Sequence, residues 1–368
     1  MKNKVKLGDL VNIKTGKLDA NAANNKGKYP FFTTSEETFK IDTYAYDDEA
    51  ILVAGNGNLN VKYFYGKFNA YQRTYILTKK ENIKVNIKYI YYFLDKYLET
   101  LRSVSIGGVI KYIKLENLIN PVLDLPTIEI QNKIVKKLDT LKEVLDMYEK
   151  KINLLSNFNK SLFTTMFGNI KTNDKNWKIK KIGEIVETQY GTSKKASAES
   201  SNGIPILRMN NIKYSGEMDY KDLKYIELSD SEKEKFLLKK GELLFNRTNS
   251  KELVGKTGLF NLDIPMAFAG YLIRIKPSNL IHSKFLLFFM NSEFMKKLLY
   301  NKAKNIVGMA NINAKELEDF SIILPPIELQ NKFAERIEKI EKLKFEIEKS
   351  IEEAQKLYDS LISKYFDN

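Results

Sequence analysis

The segment Leu125-Pro-Thr-Ile-Glu-Ile-Gln-Asn-Lys133 returns as Leu324-Pro-Pro-Ile-Glu-Leu-Gln-Asn-Lys332, 199 residues later and identical at seven of nine positions. A weaker pair opens each half. Leu7-Gly-Asp-Leu-Val11 resembles Ile182-Gly-Glu-Ile-Val186, with Gly16 over Gly191, at an offset of 175. Each half therefore begins alike and ends alike, which constrains the chain to two copies of one unit. The offsets differ by 24, so the second copy holds 24 more residues between the shared ends. A common frame with a different middle points to two copies with different specificities.

A long helical pattern follows each Leu-Pro signal. The first steps through Ile134, Leu138, Leu141, Leu145, Tyr148, Ile152, Leu155, Asn159, Leu162 and Met166. The second steps through Phe333, Ile337, Ile340, Lys344, Ile347, Ile351, Ala354, Tyr358, Leu361 and Tyr365. Alternating steps of four and three give the 3.5-residue period of a coiled-coil seam. Each helix would run about 40 residues, or about 60 Å. Phe167-Gly168-Asn169 stops the first, with Gly suited to the left-handed position past a helix end. The intervening domain must return the chain to its starting end, which favours an antiparallel pair; a homodimeric coil is the alternative. Asn159 and Lys344 interrupt the seam, either fixing register or marking where it opens to solvent.

The rest of each half reads as mixed α/β. Short β-rich runs (Ala50–Ala54, Tyr75–Leu77, Gly270–Ile275) are punctuated by Gly, Asn and Pro. Ile87–Leu94 and Ser283–Leu299 read as short helices, and Asn169–Asn176 as a polar linker. The expected fold is α/β (mixed α+β): two globular domains with an internal pseudo-two-fold repeat, separated by an antiparallel two-helix coiled coil. The boundaries are 1–126 and 168–326 for the domains, and 127–167 and 327–368 for the helices.

Composition narrows the function. The 368 residues carry 60 Lys and Arg against 46 Asp and Glu, a net charge of +14. Residues 1–126 hold +6 and residues 168–326 hold +8, while the helices at +2 and −2 cancel. The excess thus lies in the two globular domains, as expected for two faces that meet a phosphate backbone. There is no cysteine and a single histidine, His282. That excludes disulfides, thiol nucleophiles, cysteine-ligated clusters and a His-rich metal site. The longest apolar run, Phe285–Met290, is too short to span a bilayer. MKNKVKLGDL has no signal-peptide core, and the expectation is a cytoplasmic protein with no membrane partner.

Amide, basic and aromatic residues interleave on Gly/Asn-rich stretches. In the first half these are Asn56, Asn58, Lys62, Tyr63 and Arg73. In the second they are Arg208, Asn210, Asn211, Arg247, Asn249 and Lys251. Arg, Lys, Asn and Gln are the side chains that pair with base edges in a major groove. Ordinary solvated surface and strand aromatics are the competing explanation for each. Arg208 and Arg247 are the best individual candidates. The spacer-coil residues are Leu138, Leu145, Ile152, Asn159, Ile337, Ile347, Ile351 and Leu361.

With these features the chain resembles the specificity (S) subunit of type I DNA restriction-modification systems. The resemblance rests on the paired Leu-Pro-x-Ile-Glu-x-Gln boundaries, the long helix after each, and the Gly-Asp/Glu-Leu/Ile-Val openings. It rests too on Gly203-Ile-Pro-Ile-Leu-Arg208 and Gly241-Glu-Leu-Leu-Phe-Asn-Arg247. It implies two target-recognition domains that each read half of a bipartite, asymmetric site in double-stranded DNA, and helices that set their separation. It implies as partners two methyltransferase (M) subunits that use S-adenosylmethionine, and restriction (R) subunits that use ATP and Mg. The chain itself would hold no cofactor, no metal and no catalytic residue. The first half departs from the pattern: it lacks a counterpart to Trp177 and an evident match to Ile-Leu-Arg208.

Other motifs carry less. Gly255-Lys-Thr257 resembles the end of a phosphate loop, but Ser250 stands where the earlier Gly is required. Gly55-x-Gly57 reads as a turn. Pro325-Pro326 opens a helix and follows Leu324, not the Asn or Asp of an adenine-methyltransferase loop. His282 reads as a surface or helix-start residue, and Trp177 as core packing. Two other classes of function stay open: a coiled-coil adaptor that does not touch DNA, and a stand-alone DNA-modifying enzyme.

Overall fold

The structure is a computed structural model that describes residues 3–197, 203–306 and 309–367. The chain divides into two compact units, residues 1–151 with 347–368, and residues 152–346. Each unit contains one copy of a mixed α/β fold and a stretch of each long helix.

The first unit begins with β1 (Asn3–Lys6), α1 (Leu7–Leu10), β2 (Val11–Thr15), β3 (Tyr29–Phe32), β4 (Phe39–Ile41) and β5 (Tyr46–Ala54). Then come β6 (Val61–Ala70), β7 (Thr74–Lys79), α2 (Ile87–Ser103), α3 (Glu116–Ile119), β8 (Val122–Leu125) and the long α4 (Ile128–Phe167). Six strands form one sheet in the order β2-β7-β5-β6-β3-β4. β5 sits inside it, and Ala50–Ala54 are buried on both faces. Asn86 caps α2 by accepting from the Lys88 and Tyr89 amides. Ile87, Ile90, Leu94, Leu98 and Leu101 follow at helical spacing and line one core with Ile51, Val53 and Leu77. The helix runs to Ser103, well past the expected Leu94.

The second unit carries β9 (Lys178–Lys181), β10 (Val186–Tyr190), β11 (Ile204–Leu207), β12 (Lys224–Ile226), α5 (Asp230–Phe236), β13 (Leu243–Asn246), β14 (Thr248–Asn249), β15 (Thr257–Leu259), β16 (Ala267–Phe268) and β17 (Leu272–Pro277). It continues with α6 (Ser283–Met290), α7 (Glu293–Lys302), β18 (Lys304–Ile306), β19 (Met309–Asn311), α8 (Ala314–Glu318), β20 (Ser321–Leu324) and the long α9 (Ile327–Phe366). The helix expected over Ser283–Leu299 is two helices. Asn291 closes the first and the Ser292 hydroxyl restarts the second by accepting from the Met295 amide.

Strand register makes the duplication explicit. β1 pairs antiparallel with β8, Asn3 opposite Leu125; β9 pairs likewise with β20, Lys178 opposite Leu324. The first strand of each copy thus closes on the strand before its Leu-Pro signal, which explains why the shared residues sit at both ends. β3 runs parallel to the end of β6, and β11 parallel to β16. This sets Tyr29-Pro30-Phe31-Phe32 against Ile204-Pro205-Ile206-Leu207, so the Ile-Leu-Arg208 segment does have a first-half counterpart. Gly16 and Gly191 serve one purpose. A Cβ would lie 2.2 Å from the Ala70 carbonyl oxygen in the first copy and 2.3 Å from that of Ala269 in the second. The offset between matched residues is 175 at Leu207 over Phe32 and 192 at Leu243 over Ile51. Most of the 24-residue difference therefore lies between β11 and β13, around β12 and α5.

The repeated Gln is a fastening. Gln131 donates to the Pro126 carbonyl (2.8 Å) and accepts from the Asn86 amide (2.9 Å). Gln330 donates to the Pro325 carbonyl (2.8 Å) and accepts from the His282 amide (2.9 Å). Both side chains are buried. Asn86 and His282 are the N-caps of α2 and α6, so each motif ties the start of a long helix to the core helix of its own copy. His282 is the helix-start residue that its sequence context implied.

Within the first unit, the start of α4 (Ile134, Val135, Leu138) shares a core with the end of α9 (Tyr358, Ile362, Phe366). Within the second, the end of α4 (Leu162, Phe163, Phe167) shares a core with the start of α9 (Phe333, Ile337). The two helices are therefore antiparallel. Of the seam residues, Leu138, Ile337 and Ile347 are buried, whereas Leu145, Ile152, Asn159, Ile351 and Leu361 are half-buried. Lys344 does not lie bare in the seam: its ammonium pairs with Glu217, holding that carboxyl below its ordinary range. Trp177 packs on the second core and its indole N–H donates to the Phe167 carbonyl at 2.8 Å. The 169–176 segment is an ordered turn rather than a loose linker, since Asn173 bonds both the amide and the carbonyl of Trp177.

Candidate nucleic-acid interface

The candidate loops of the two halves are the same loop. In the first unit the chain leaves β5 at Ala54. The Gly55 amide donates to the Arg73 carbonyl (2.8 Å), the Ile113 amide to the Gly55 carbonyl (2.9 Å), and the Gly57 amide to the Lys111 carbonyl (2.8 Å). In the second unit the chain leaves β13 at Asn246. The Arg247 amide donates to the Tyr271 carbonyl (3.0 Å), and the Ile312 amide to the Arg247 carbonyl (3.0 Å). Asn249 pairs with Ala310. Gly55, Asn56 and Gly57 thus match Arg247, Thr248 and Asn249. Each unit gathers three segments at this end of its sheet: the loop after β5 or β13, the turn before the neighbouring β7 or β17, and the stretch that leads to the Leu-Pro signal.

In the first unit Asn56 is half-buried, and Asn58 and Arg73 are exposed. The Asn58 amide donates to Glu36 at 2.6 Å and Lys62 donates to the Ser35 carbonyl. These two bonds tie the loop to residues 33–37. Burial lowers the Lys62 proton affinity while Glu36 opposes that shift. Arg73 has no side-chain partner among the described residues. Tyr63 belongs elsewhere. Its ring packs on the core beside α2, and its hydroxyl donates to Glu49 at 2.8 Å. Burial first, and Glu49 second, push its pKa upward. We therefore remove it from the recognition set.

In the second unit the Arg247 guanidinium lies 5.1 Å from the centre of the Tyr190 ring. Its Nε is buried without a hydrogen-bond partner among the described residues. Lys251 lies over the Tyr300 ring at 4.7 Å. Asn249 is half-buried and accepts from the Ser250 amide at 2.9 Å. Such cation–ring contacts hold a long basic side chain in one orientation while leaving its charge in place.

Arg208, Asn210 and Asn211 sit apart from this loop, at the entry to the enlarged region. Asn211 is buried. It accepts from the Arg208 amide and donates to the Asp219 and Asp222 carbonyls. Every polar atom of its side chain is committed internally, which excludes it as a base reader. Arg208 is clamped by Asp222 through the carboxylate and the carbonyl, both at 3.0 Å. It holds the turn shut, and of the three only Asn210 is exposed. Lys256, from the rejected phosphate-loop pattern, is buried and donates to the Met209 and Ile212 carbonyls of the same turn.

The sequence did not single out Lys111, Tyr112 and Tyr271, whose backbones pair with these loops. Lys111 and Tyr112 were within reach, because adding the 199-residue offset places Lys111 on Ala310 beside Asn249.

The chain therefore holds two copies of one α/β unit, each with a cluster of amide, basic and aromatic residues at one end of its sheet and each packed on a stretch of both long helices. The chain belongs to the family described as the type I restriction modification DNA specificity domain, whose family model matches residues 2–157 and 174–356. It is 42% identical over 137 residues to the EcoDI specificity subunit of Escherichia coli, covering 37% of this chain and 30% of that one. It is 28% identical over 293 residues to the EcoKI specificity subunit of the same species, covering 73% and 62%. The chain thus spans less than two thirds of either relative. With the MjaVIII specificity subunit of Methanocaldococcus jannaschii the identity is 24%, over 97% of this chain and 91% of the relative. The fold is similar to the crystal structure of an S subunit from M. genitalium, with a TM-score of 0.67, 17% identity, and coverage of 100% of this chain and 96% of that one. A structure from a study of complex assembly and conformational transition in a type I system matches at a TM-score of 0.54 and 14% identity, covering 99% and 97%.

Proposed function

We propose that this chain is the DNA-recognition subunit of a type I restriction-modification complex and contributes no catalysis itself. Each unit reads one half of a bipartite, asymmetric site in double-stranded DNA through the loop cluster at the end of its sheet. The observation that carries this reading is the convergence of Asn56, Asn58 and Arg73 in one copy, and Arg247, Asn249 and Lys251 in the other, on equivalent loops. The net charge of +14 supplies affinity through phosphate neutralisation and counterion release. Arg and Asn supply discrimination at base edges. The antiparallel helices hold the readers at a set phase on the duplex, so the spacer between half-sites belongs to the specificity. Four segments divide this labour: recognition domains 1–126 and 168–326, and spacer helices 127–167 and 327–368.

The partners are two methyltransferase subunits, which bring S-adenosylmethionine, and restriction subunits, which bring ATP and Mg. The complex works in the cytoplasm. No helix among the described residues is long and apolar enough to cross a membrane.

The test is long-read methylation sequencing of a naive host carrying this gene with its methyltransferase gene. A new bipartite adenine-methylation motif that disappears when this gene is deleted is the expected result. No new motif, with both proteins folded and associated, would turn the reading toward an adaptor. Inserting one helical turn into both α4 and α9 should change the spacer length and leave both half-sites intact.

A further inference from the structure

Residues 104–112 of the first unit expose five large apolar side chains. Val109 is fully exposed, Ile110 is 62% exposed, and Val104, Ile106 and Tyr112 are each above 40%. The segment is not a frayed tail. Ile106 and Tyr112 exchange two backbone hydrogen bonds, at 3.0 and 2.8 Å, and so close a five-residue loop over Gly107–Lys111. Gly107 takes φ +117, and a Cβ there would lie 2.5 Å from the Ile110 carbonyl oxygen. That conformation and that contact both require glycine. The base of the loop is fixed to the recognition loop: Asn56 bridges Tyr112, and the Gly57 amide bonds Lys111. A defined turn therefore presents two β-branched apolar side chains to water, next to Asn56, Asn58 and Lys111. Stiff side chains of this kind lose little rotamer freedom when they are covered.

The second unit treats the matching stretch differently. There β18 and β19 form a hairpin that pairs with β14, Thr248 opposite Asn311 and Asn249 opposite Ala310. The first unit has isolated bridges at this place, Asn56 with Tyr112 and Ile106 with Tyr112.

We propose that Val109 and Ile110 form an apolar probe that contacts the C5-methyl group of a thymine in the half-site read by the first unit. This rests on the DNA-recognition role proposed above. Three observations point to DNA as the occupant: the tip's place in the recognition-loop cluster, the adjoining Lys111, and the neighbouring amides suited to base edges. Among base-pair edges in the major groove, the thymine methyl is the one apolar feature. The pair Asn58 and Val109–Ile110 would then read a polar and an apolar edge from one rigid platform.

The experiment uses the full chain in its methyltransferase complex and a duplex bearing the motif found by methylation sequencing. Each thymine of the first half-site is replaced singly by deoxyuridine, which removes only the methyl group, and affinity is measured by competition. The proposal expects one such replacement to weaken wild-type binding 3- to 10-fold. It expects the Val109→Ser/Ile110→Ser variant to bind thymine and uracil duplexes equally. Unchanged recognition of the second half-site by the same variant reports that it is folded. Equal sensitivity of variant and wild type to every replacement, or no sensitivity in either, overturns the probe. A wild-type complex that binds no duplex specifically overturns the recognition role itself, a separate outcome. Tighter tip-dependent association with the methyltransferase, with uracil-insensitive DNA binding, assigns the loop to a protein contact and also overturns the proposal.

Discussion

The two copies share a frame but solve the interior of the sheet in opposite ways. On β5 and β7 of the first unit, Ala50 and Ile76 join a small apolar cluster with Phe32, Leu52, Phe68 and Ala70. The matching positions in the second unit hold Glu242 and Arg274, which face each other at 3.6 Å with both side chains buried. Arg274 also donates to the Leu237 and Lys235 carbonyls and to Gln189, and its ring contact is Phe268. Burial lowers its proton affinity, and Glu242 opposes that shift. The charged solution appears with the enlarged region: Lys235 and Leu237 lie at the end of α5 and just beyond it, inside the extra residues. An apolar face suffices where the connection is short. Where the chain adds a helix, a buried guanidinium collects its carbonyls and fixes it to the sheet.

The largest expected effect breaks this difference. Glu242→Ala leaves Arg274 buried without its carboxylate and should destabilise the second unit by about 3 kcal/mol. Glu242→Ala with Arg274→Ile copies the first unit and should recover part of that loss, because removing both charges removes the desolvation penalty. Denaturant unfolding of the intact chain measures both. A double variant less stable than Glu242→Ala would show that the carbonyl contacts of Arg274 outweigh its charge.

The next effect tests what the copies share. Gln131→Ala strips two backbone groups of their partner and Gln330→Ala three, each at an expected cost of about 1–3 kcal/mol. The two fastenings share a Pro carbonyl and an N-cap amide, and Gln330 adds the Leu280 carbonyl, so Gln330→Ala should cost slightly more; a larger loss at Gln131 would mean that the symmetry is only geometric. Recognition comes third. Arg247→Ala should weaken or relax the second half-site by about 1–3 kcal/mol if it makes a bidentate base contact, and Asn58→Ala should act on the first half-site alone. Competition binding with half-site variants separates the two. Arg208→Ala should also lower stability, since it removes the bonds from one guanidinium nitrogen to Asp222, although the Nε has no partner among the described residues.

The smallest effect concerns the caps. His282 caps α6 by accepting from the Lys284 amide at 3.1 Å, where Asn86 serves α2. Burial is the main cause that lowers the His282 pKa; Lys284 adds to it and Glu338 opposes it. The folded value thus lies below the unfolded one, about 6.5. Its contribution is complete above that pH and is lost as the pH falls toward the folded value. His282→Asn, which copies the first unit, should flatten the acid side of the stability profile. A profile unchanged from wild type between pH 7 and 5 would assign the acid response to carboxylates.

Much of the frame was legible because recurrence leaves a record in residue identity: the Leu-Pro-x-Ile-Glu-x-Gln motif, the glycines at 16 and 191, and the 3.5-residue seam. The candidate loops stood out by composition, but their equivalence did not. Gly55-Asn56-Gly57 and Arg247-Thr248-Asn249 share no residue, and only strand register reveals that they match. Asn211, Tyr63 and Arg208 show a different limit. Their types suit base contact equally well when they are spent on carbonyls, a carboxylate or a helix face, and no spacing in the sequence distinguishes those uses. The break between α6 and α7 was hidden because Asn291 and Ser292 interrupt an otherwise continuous apolar pattern by only two residues.

The Gln fastening touches nothing but main chain. Its partners are the carbonyls of Pro126 or of Pro325 and Leu280, and the amides of Asn86 or His282, and the two amide partners already differ in side chain. A joint that reads only the peptide backbone is a universal coupling. Whatever sequence lies between the opening strand and the motif can be rewritten, lengthened or exchanged, and the incoming module still seats on the same helix in the same way. The 24 added residues of the second copy show that this tolerance has already been used within a single chain.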